Sequence, residues 1–192
     1  KHNILIVGNN VVTNTSIIVK LSLDTTTQEY SLVGTQSIST GVSGEKITSI
    51  FAEPIRATGD DYDKIVVMFK KESSGVKNYV LRIYDNSLTE STYVTVAYSS
   101  VALDFSTTTI INMKVINSTL SANASRIIIM WYDSSNTNRY YLVYDYTTTF
   151  AIKKSEEIAD SDRLMDISGQ MININGNREF VYTILKRNSS IT

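Results

Sequence analysis

The feature that most constrains this chain is a short run of strand-forming residues that recurs about every 60 positions. Residues 4–7, 65–69 and 127–131 are such runs, and a fourth begins at Phe180. The first three start 61 and then 62 residues apart. Self-similarity at a fixed period of this length is typical of repeat proteins, whose units bury their apolar surfaces against one another. The sequence therefore predicts a tandem array of similar units.

An aspartate recurs in the same register as these runs. Each run is followed by a polar loop, a second apolar segment and then Asp24, Asp85 or Asp145, which are 61 and 60 residues apart. Threonines follow close behind each of them. An aspartate carboxylate can accept a backbone N–H two residues further on and so pre-form a turn. We interpret these three aspartates as structural turn residues.

Two more strand-like segments fill the rest of each unit. In residues 93–98, for example, Tyr, Thr and Ala alternate with Val, Val and Tyr, which is the period-two pattern of a pleated strand. Helical periodicity is not visible. We predict an all-β chain of tandem four-stranded antiparallel units, forming one β-repeat domain over residues 1–192. The units span about 1–63, 64–125 and 126–178, with an incomplete unit at 179–192.

The apolar run, the loop and a turn such as Tyr144-Asp145-Tyr146-Thr147-Thr148 resemble the blades of β-propellers. The resemblance extends over nearly the whole chain but is generic. The motifs of WD40, kelch, sialidase and integrin-type propellers are missing. It implies propeller blades, with a β-sandwich or a β-solenoid as alternatives. Since propellers have 4–8 blades, we expect a fragment of a larger protein that packs against remaining blades or other subunits.

Composition excludes several function classes. The net charge of −1 argues against a nucleic-acid surface, and the longest apolar run, residues 127–132, is too short to insert into a membrane. The chain has no cysteine, and its one histidine is His2 at the terminus. A Ser-His-Asp arrangement or a histidine metal site would depend on that residue. We therefore predict no catalytic residues, no metal site and no cofactor.

Acidic and aromatic residues are the remaining candidates for chemistry. One acidic group contains Asp60, Asp61 and Asp63, and a second contains Glu156, Glu157, Asp160, Asp162 and Asp166. We interpret both as solvated loops, because neither has the spacing of a calcium loop. The aromatic residues of segment 131–146 could stack on sugars. Strand alternation sends Trp131 and Tyr132 to opposite faces, however, which favours core packing.

Four asparagines match the N-glycosylation pattern. They are Asn14, Asn117, Asn123 and Asn188, and all four fall in predicted loops. This number is close to what chance gives in a chain with so many Asn, Ser and Thr residues. We keep all four as glycosylation candidates that could carry covalent glycans.

Three function classes fit the sequence. The first is a non-enzymatic structural or adhesive module of a secreted or cell-surface glycoprotein, as part of a filament or coat. The second is an intracellular propeller scaffold for protein partners, which the lack of cysteine would suit. The third is a sugar-binding or carboxylate-dependent, glycan-active propeller. We prefer the first, with an extracellular or cell-surface location, and keep a cytoplasmic location as the alternative.

Overall fold

The computed structural model describes residues 3–10, 12–38, 45–56, 64–117, 125–158, 162–174 and 177–188. Within these ranges the chain is all-β without a helix, which confirms the predicted fold class. The strands are β1 (Asn3–Asn10), β2 (Thr15–Leu23), β3 (Tyr30–Ile38), β4 (Lys46–Ile55), β5 (Lys64–Ser73), β6 (Val76–Tyr84), β7 (Glu90–Thr95), β8 (Ala97–Tyr98), β9 (Val101–Ala102), β10 (Thr108–Ile116), β11 (Ser125–Asp133), β12 (Arg139–Tyr146), β13 (Phe150–Ile158), β14 (Asp162–Ile174) and β15 (Asn177–Asn188).

The strands form four antiparallel sheets and one small ribbon. Sheet 1 has the order β1-β2-β3, sheet 2 β4-β5-β6-β7, sheet 3 β10-β11-β12-β13 and sheet 4 β14-β15. Strands β8 and β9 pair with each other and form the ribbon. Every sheet is a meander in which consecutive strands are neighbours. Such local pairing is the simplest way to connect antiparallel strands.

The sheets group the strands one strand earlier than the units drawn on the sequence. Strand β4 lies at the end of the first sequence unit, but it pairs with β5 and belongs to sheet 2. In the same way β10 pairs with β11, and β14 pairs with β15. Strand β1 is the counterpart of β5 and β11 in the repeat. Among the described strands it has a partner on one side only, whereas β5 and β11 are paired on both sides.

The sheets stack face to face, and alternation along the central strands supplies both interfaces. On β5, Val67 and Phe69 pack towards sheet 1, whereas Val66 and Met68 pack towards sheet 3. Strand β11 repeats the arrangement, with Ile129 facing sheet 2. Since both faces of these strands are buried, their sequences read as continuous apolar runs rather than as alternating ones.

The stacked sheets converge along their first strands. Strand β10 contacts β4 of the preceding sheet and β14 of the following sheet, and β4 also contacts β1 and β2. Sheets that pack through their faces lie about 10 Å apart. Closer approach at one side therefore makes the stack wedge-shaped, with β4, β10 and β14 on its narrow side.

No helix in the described part of the chain is long and apolar enough to cross a membrane.

Candidate functional site

A cleft opens where the ribbon covers one end of sheet 3. Its volume is about 250 Å³. The floor is an aromatic cluster in which the ring of Trp131 stacks on that of Tyr140, with centroids 5.4 Å apart. The ring of Tyr98 from the ribbon meets both edge-on, at 5.8 and 5.0 Å. Trp131 and Tyr140 are 1% and 6% exposed, so their main role is packing, as strand alternation predicted, and only their margins reach the cleft.

Backbone hydrogen bonds fix the ribbon in this position. Its two-residue turn uses Ser99 and Ser100, both with positive φ, as the type I′ turn of a tight hairpin requires. The Val96 N–H donates to the Tyr79 carbonyl, and the Leu103 N–H donates to the Val96 carbonyl, both at 2.9 Å. The wall of the cleft is therefore a continuation of sheet 2 that covers part of sheet 3.

Two carboxylates stand at the rim of the cleft, and each one caps a turn. The Asp104 Oδ1 accepts the backbone N–H and the hydroxyl of Ser106, at 2.8 and 2.6 Å. The Asp133 Oδ1 accepts the same two groups of Ser135, at 2.9 and 2.7 Å. The Ser106 hydrogen bonds hold the pKa of Asp104 below its usual range. Asp104 is thus an anion at neutral pH, suited to accepting hydrogen bonds from a ligand rather than to donating a proton.

The burial of nearby hydroxyls also shifts their ionisation. Burial raises the pKa of Tyr98, and the carboxylate of Glu157 adds to the effect. Burial likewise raises the pKa of Tyr79, whose hydroxyl donates to the Thr108 carbonyl at 2.8 Å. Both phenols are therefore neutral at physiological pH. Apolar ring margins below and hydrogen-bonding oxygens at the rim match the two faces of a small sugar.

A second candidate site is the outer face of sheet 1. Register places the side chains of β1, β2 and β3 that point away from sheet 2 on this face. Several of them are large, apolar and exposed: Ile4 is 39% exposed, Ile6 49%, Tyr30 48% and Leu32 63%. Val19 and Leu21 lie between them and are half-buried. Contiguous apolar patches of this kind are typical of interaction surfaces.

Two of the three aspartates interpreted as turn residues lie in turns. The Asp24 Oδ1 accepts the N–H groups of Thr26 and Thr27, at 2.8 and 3.3 Å, and these bonds lower its pKa. The Asp85 Oδ1 accepts the N–H groups of Ser87 and Thr89, at 2.8 and 2.9 Å. Both carboxylates therefore hold the turn between the last two strands of their sheets.

Asp145 has a different role. It lies inside β12, where it is paired with Arg126 of β11 in the ladder. Its Oδ1 accepts the Arg126 Nε–H at 2.9 Å, and both side chains are only partly exposed. The strand continues to Tyr146, whose ring is fully buried against Phe150. Burial of that ring keeps the backbone extended past the aspartate, so the sequence interpretation of Asp145 as a turn residue does not match its position.

The glycosylation candidates differ in their surroundings. Asn14 is exposed in the turn between β1 and β2, with φ of 53°. Asn117 is half-buried after β10. Its Oδ1 accepts the Arg56 N–H at 2.7 Å, and its Nδ2 donates to the Pro54 carbonyl at 3.2 Å. Asn188 ends β15, and Asn123 lies outside the described residues. A glycan would replace one of the two Nδ2 hydrogens of Asn117 and compete for space with its contact to the Pro54 carbonyl.

The acidic groups are only partly described. Asp60, Asp61, Asp63 and Asp160 lie outside the described residues. The Glu156 carboxylate accepts the Tyr141 hydroxyl at 2.5 Å, and the Asp166 Oδ1 accepts the Asn112 amide at 2.7 Å. No group of three or more potential metal ligands occurs among the described residues. These two carboxylates therefore connect strands: Glu156 of β13 binds a side chain of β12, and Asp166 of β14 binds a side chain of β10.

The comparisons with known proteins identify no family. No protein-family model matches the chain, and no curated protein is significantly similar to it. The cleft beside Trp131 and the outer face of sheet 1 are thus the observations on which a function can be argued.

Proposed function

We propose that the chain is a non-enzymatic structural or adhesive module, built of β-propeller blades, that works by packing its sheets against other protein. The observation that carries the proposal is the outer face of sheet 1. It presents Ile4 and Ile6 on β1 and Leu32 on β3, all more than a third exposed. Exposed apolar faces of this kind are typical of surfaces that pack against other protein. The partners are the remaining blades or other subunits of an assembly.

The wedge shape of the stack supports propeller blades over a sandwich or a solenoid. In a propeller the first strands of successive blades surround a common axis, and the blades diverge outwards. The chain of contacts from β4 to β10 to β14 has this form. Two packed sheets of a sandwich would bury one face each, whereas sheets 2 and 3 bury both faces.

A location outside the cell or at its surface is part of the proposal, and Asn14 supports it. This asparagine begins an Asn-Thr-Ser acceptor sequence and is exposed in the turn between β1 and β2. Mass spectrometry of the protein purified from its source tests the point. We expect hexose-containing additions on the peptide with Asn14 and none on the peptide with Asn117. A mass equal to that of the bare sequence would refute the surface glycoprotein and favour the intracellular scaffold.

Sugar binding in the cleft is the second candidate function. Aromatic margins and the carboxylates of Asp104 and Asp133 converge there, and the volume of about 250 Å³ is of the size of one sugar ring. Trp131 is the only tryptophan of the chain, so its fluorescence reports directly on the cleft. Titration with a panel of monosaccharides should change that emission in the wild type and less in Asp133→Asn. Unchanged emission across the panel and a blank glycan array would exclude this function.

A further inference from the structure

The outer face of sheet 1 corresponds, position by position, to surfaces that are buried elsewhere in the chain. Ile4 and Ile6 precede Ile65 and Val67 by 61 residues. Ile65 is 4% exposed and Val67 is fully buried, because both face sheet 1. One repeat further on, Ile127 and Ile129 are fully buried against sheet 2 in the same way. The outer face of sheet 1 is therefore the surface that, in sheets 2 and 3, receives the preceding sheet.

The surface that fits such a face is also known from the chain itself. At each interface, one face of a sheet packs on the next sheet along the chain, and we call this the forward-looking face. The face of the next sheet that it contacts is the backward-looking face. Val66 and Met68 of sheet 2 are forward-looking, and so are Ile128 and Met130 of sheet 3. By the repeat, Val181 on β15 corresponds to Ile128. The forward-looking face of sheet 4 is therefore the natural complement of the outer face of sheet 1.

The described side chains on the forward-looking face of sheet 4 are exposed or half-buried. Register places Ile172, Val181 and Leu185 on it, beside the polar residues Ser168, Gln170 and Thr183, and opposite the side on which Gly169 approaches Ile116 of sheet 3. Val181 is 39% exposed and Leu185 is 59% exposed. One chain thus carries, at opposite ends of its stack, the two kinds of face that pack on each other between its own sheets.

We infer that two copies of this chain associate head to tail, with sheet 4 of one copy packed on the outer face of sheet 1 of the next. The inference rests on the proposed structural role and adds the partner and the orientation. It is a heterologous contact, which grows into a ring or a filament rather than stopping at a symmetric pair. A three-stranded face of this length measures roughly 27 Å by 14 Å. The two copies together would bury roughly 760 Å², which is below the ~1,200–2,000 Å² of stable interfaces, so association should be weak and dependent on concentration.

Sedimentation equilibrium of the chain from about 1 µM to about 1 mM tests the inference. We expect the wild-type average mass to rise above the monomer mass of 21.5 kDa. Ile6→Glu places a charge on the outer face of sheet 1, and Leu185→Glu places one on sheet 4. Each should weaken association by at least about 100-fold, because a carboxylate would be buried without a partner. Val76→Glu is the matched control, since Val76 is 60% exposed in the β5–β6 hairpin and away from both faces.

Mixing the two variants distinguishes head-to-tail contact from other modes. Ile6→Glu retains an intact sheet 4, and Leu185→Glu retains an intact sheet 1, so an equimolar mixture should form heterodimers and nothing larger. Far-UV circular dichroism and the thermal midpoint confirm that each variant is folded. A monomeric wild type at the highest concentration would overturn the inference, and so would Leu185→Glu associating like the wild type. Neither outcome would alter the glycan test of the proposed function.

Discussion

Replacing Gly169 with alanine tests how closely sheet 4 packs on sheet 3. A Cβ at this position would overlap the Cδ1 of Ile116, and it would lie 3.0 Å from the Ile116 Cγ1 and 3.2 Å from the Val181 carbonyl oxygen. Ordinary contacts between carbon atoms are about 3.5–4.0 Å. Cδ1 is the end of a flexible side chain and can rotate away. Cγ1 can move less, because it lies closer to the backbone, and the Val181 carbonyl is part of the backbone. Relieving this overpacking costs about 1–3 kcal/mol.

A second effect of the substitution opposes the first. Alanine restricts the unfolded chain more than glycine does, which stabilises the fold by about 0.4–1 kcal/mol. We therefore expect the free energy of unfolding of Gly169→Ala to fall by about 1–2 kcal/mol. Urea denaturation followed by Trp131 fluorescence and by far-UV circular dichroism measures it. Gly8→Ala is the control, because its Cβ meets no atom within 4 Å. It should leave stability unchanged or slightly raised.

A double-mutant cycle locates the clash. Ile116→Val removes only Cδ1, which by itself costs about 0.5–1.5 kcal/mol. In Gly169→Ala it removes the atom that the new Cβ would overlap, so the double variant should be more stable than the sum of the two single effects predicts. Wild-type stability in Gly169→Ala, or strict additivity in the double variant, would refute the packing of sheet 4 described above.

Three further predictions concern stability. Burial raises the pKa of Tyr84 to about 12, whereas an unfolded tyrosine titrates near pH 10. The unfolded state therefore loses its proton first, and the free energy of unfolding should fall between pH 10 and pH 12 by up to about 3 kcal/mol. In Tyr84→Phe, the free energy of unfolding should not show this decrease between pH 10 and pH 12. At pH 7, Asp85→Ala should cost about 1–2 kcal/mol, because two turn N–H groups lose their acceptor. Asp145→Ala removes a partly exposed ion pair and should cost no more than about 1 kcal/mol. A larger loss of thermal stability in Asp145→Ala than in Asp85→Ala would contradict this. Lys20 is buried, and its Nζ donates to the carbonyl and the amide oxygen of Asn86 at 2.7 and 2.5 Å. Lys20→Met should therefore lower stability by about 1.5–3 kcal/mol, and an unchanged urea midpoint would count against that role.

The strands could be predicted from the sequence because their signals are local. Runs such as 65–69 and 127–131 are apolar throughout, and each of them lies inside a single strand. The division into sheets could not be predicted in the same way. In a meander each strand pairs with the next strand along the chain. The sequence pattern at the end of a sheet is therefore nearly the same as the pattern within a sheet. The side on which β4 forms its hydrogen bonds decides the grouping.

The cleft could not be predicted, because residues distant in sequence form it. Tyr98 and Trp131 are 33 positions apart, and the strand pattern of residues 93–98 hides the end of β7 and the start of the ribbon. A signal for the rim did exist. Asp104 and Asp133 each have a serine two positions later, and the same Asp-x-Ser/Thr spacing marks the turn at Asp24. Asp145 has that spacing too, and the burial of Tyr146 overrides it.

Strand β1 shows that local sequence also records the surroundings for which a strand is suited. The edge strands of sheets 2 and 3 carry features that discourage further pairing. Pro54 interrupts the donors of β4, and β13 exposes Lys153, Lys154 and Glu156 to solvent. Strand β1 is also an edge, but its sequence, Asn-Ile-Leu-Ile-Val-Gly-Asn-Asn, has no charge and no proline. Its apolar run, residues 4–7, corresponds to the runs 65–69 of β5 and 127–131 of β11, which are buried on both faces in strands that are paired on both edges. A strand adapted to solvent on one face would alternate apolar with polar residues. The sequence of β1 is therefore matched to burial on both faces, which is the condition that head-to-tail packing on sheet 1 would create.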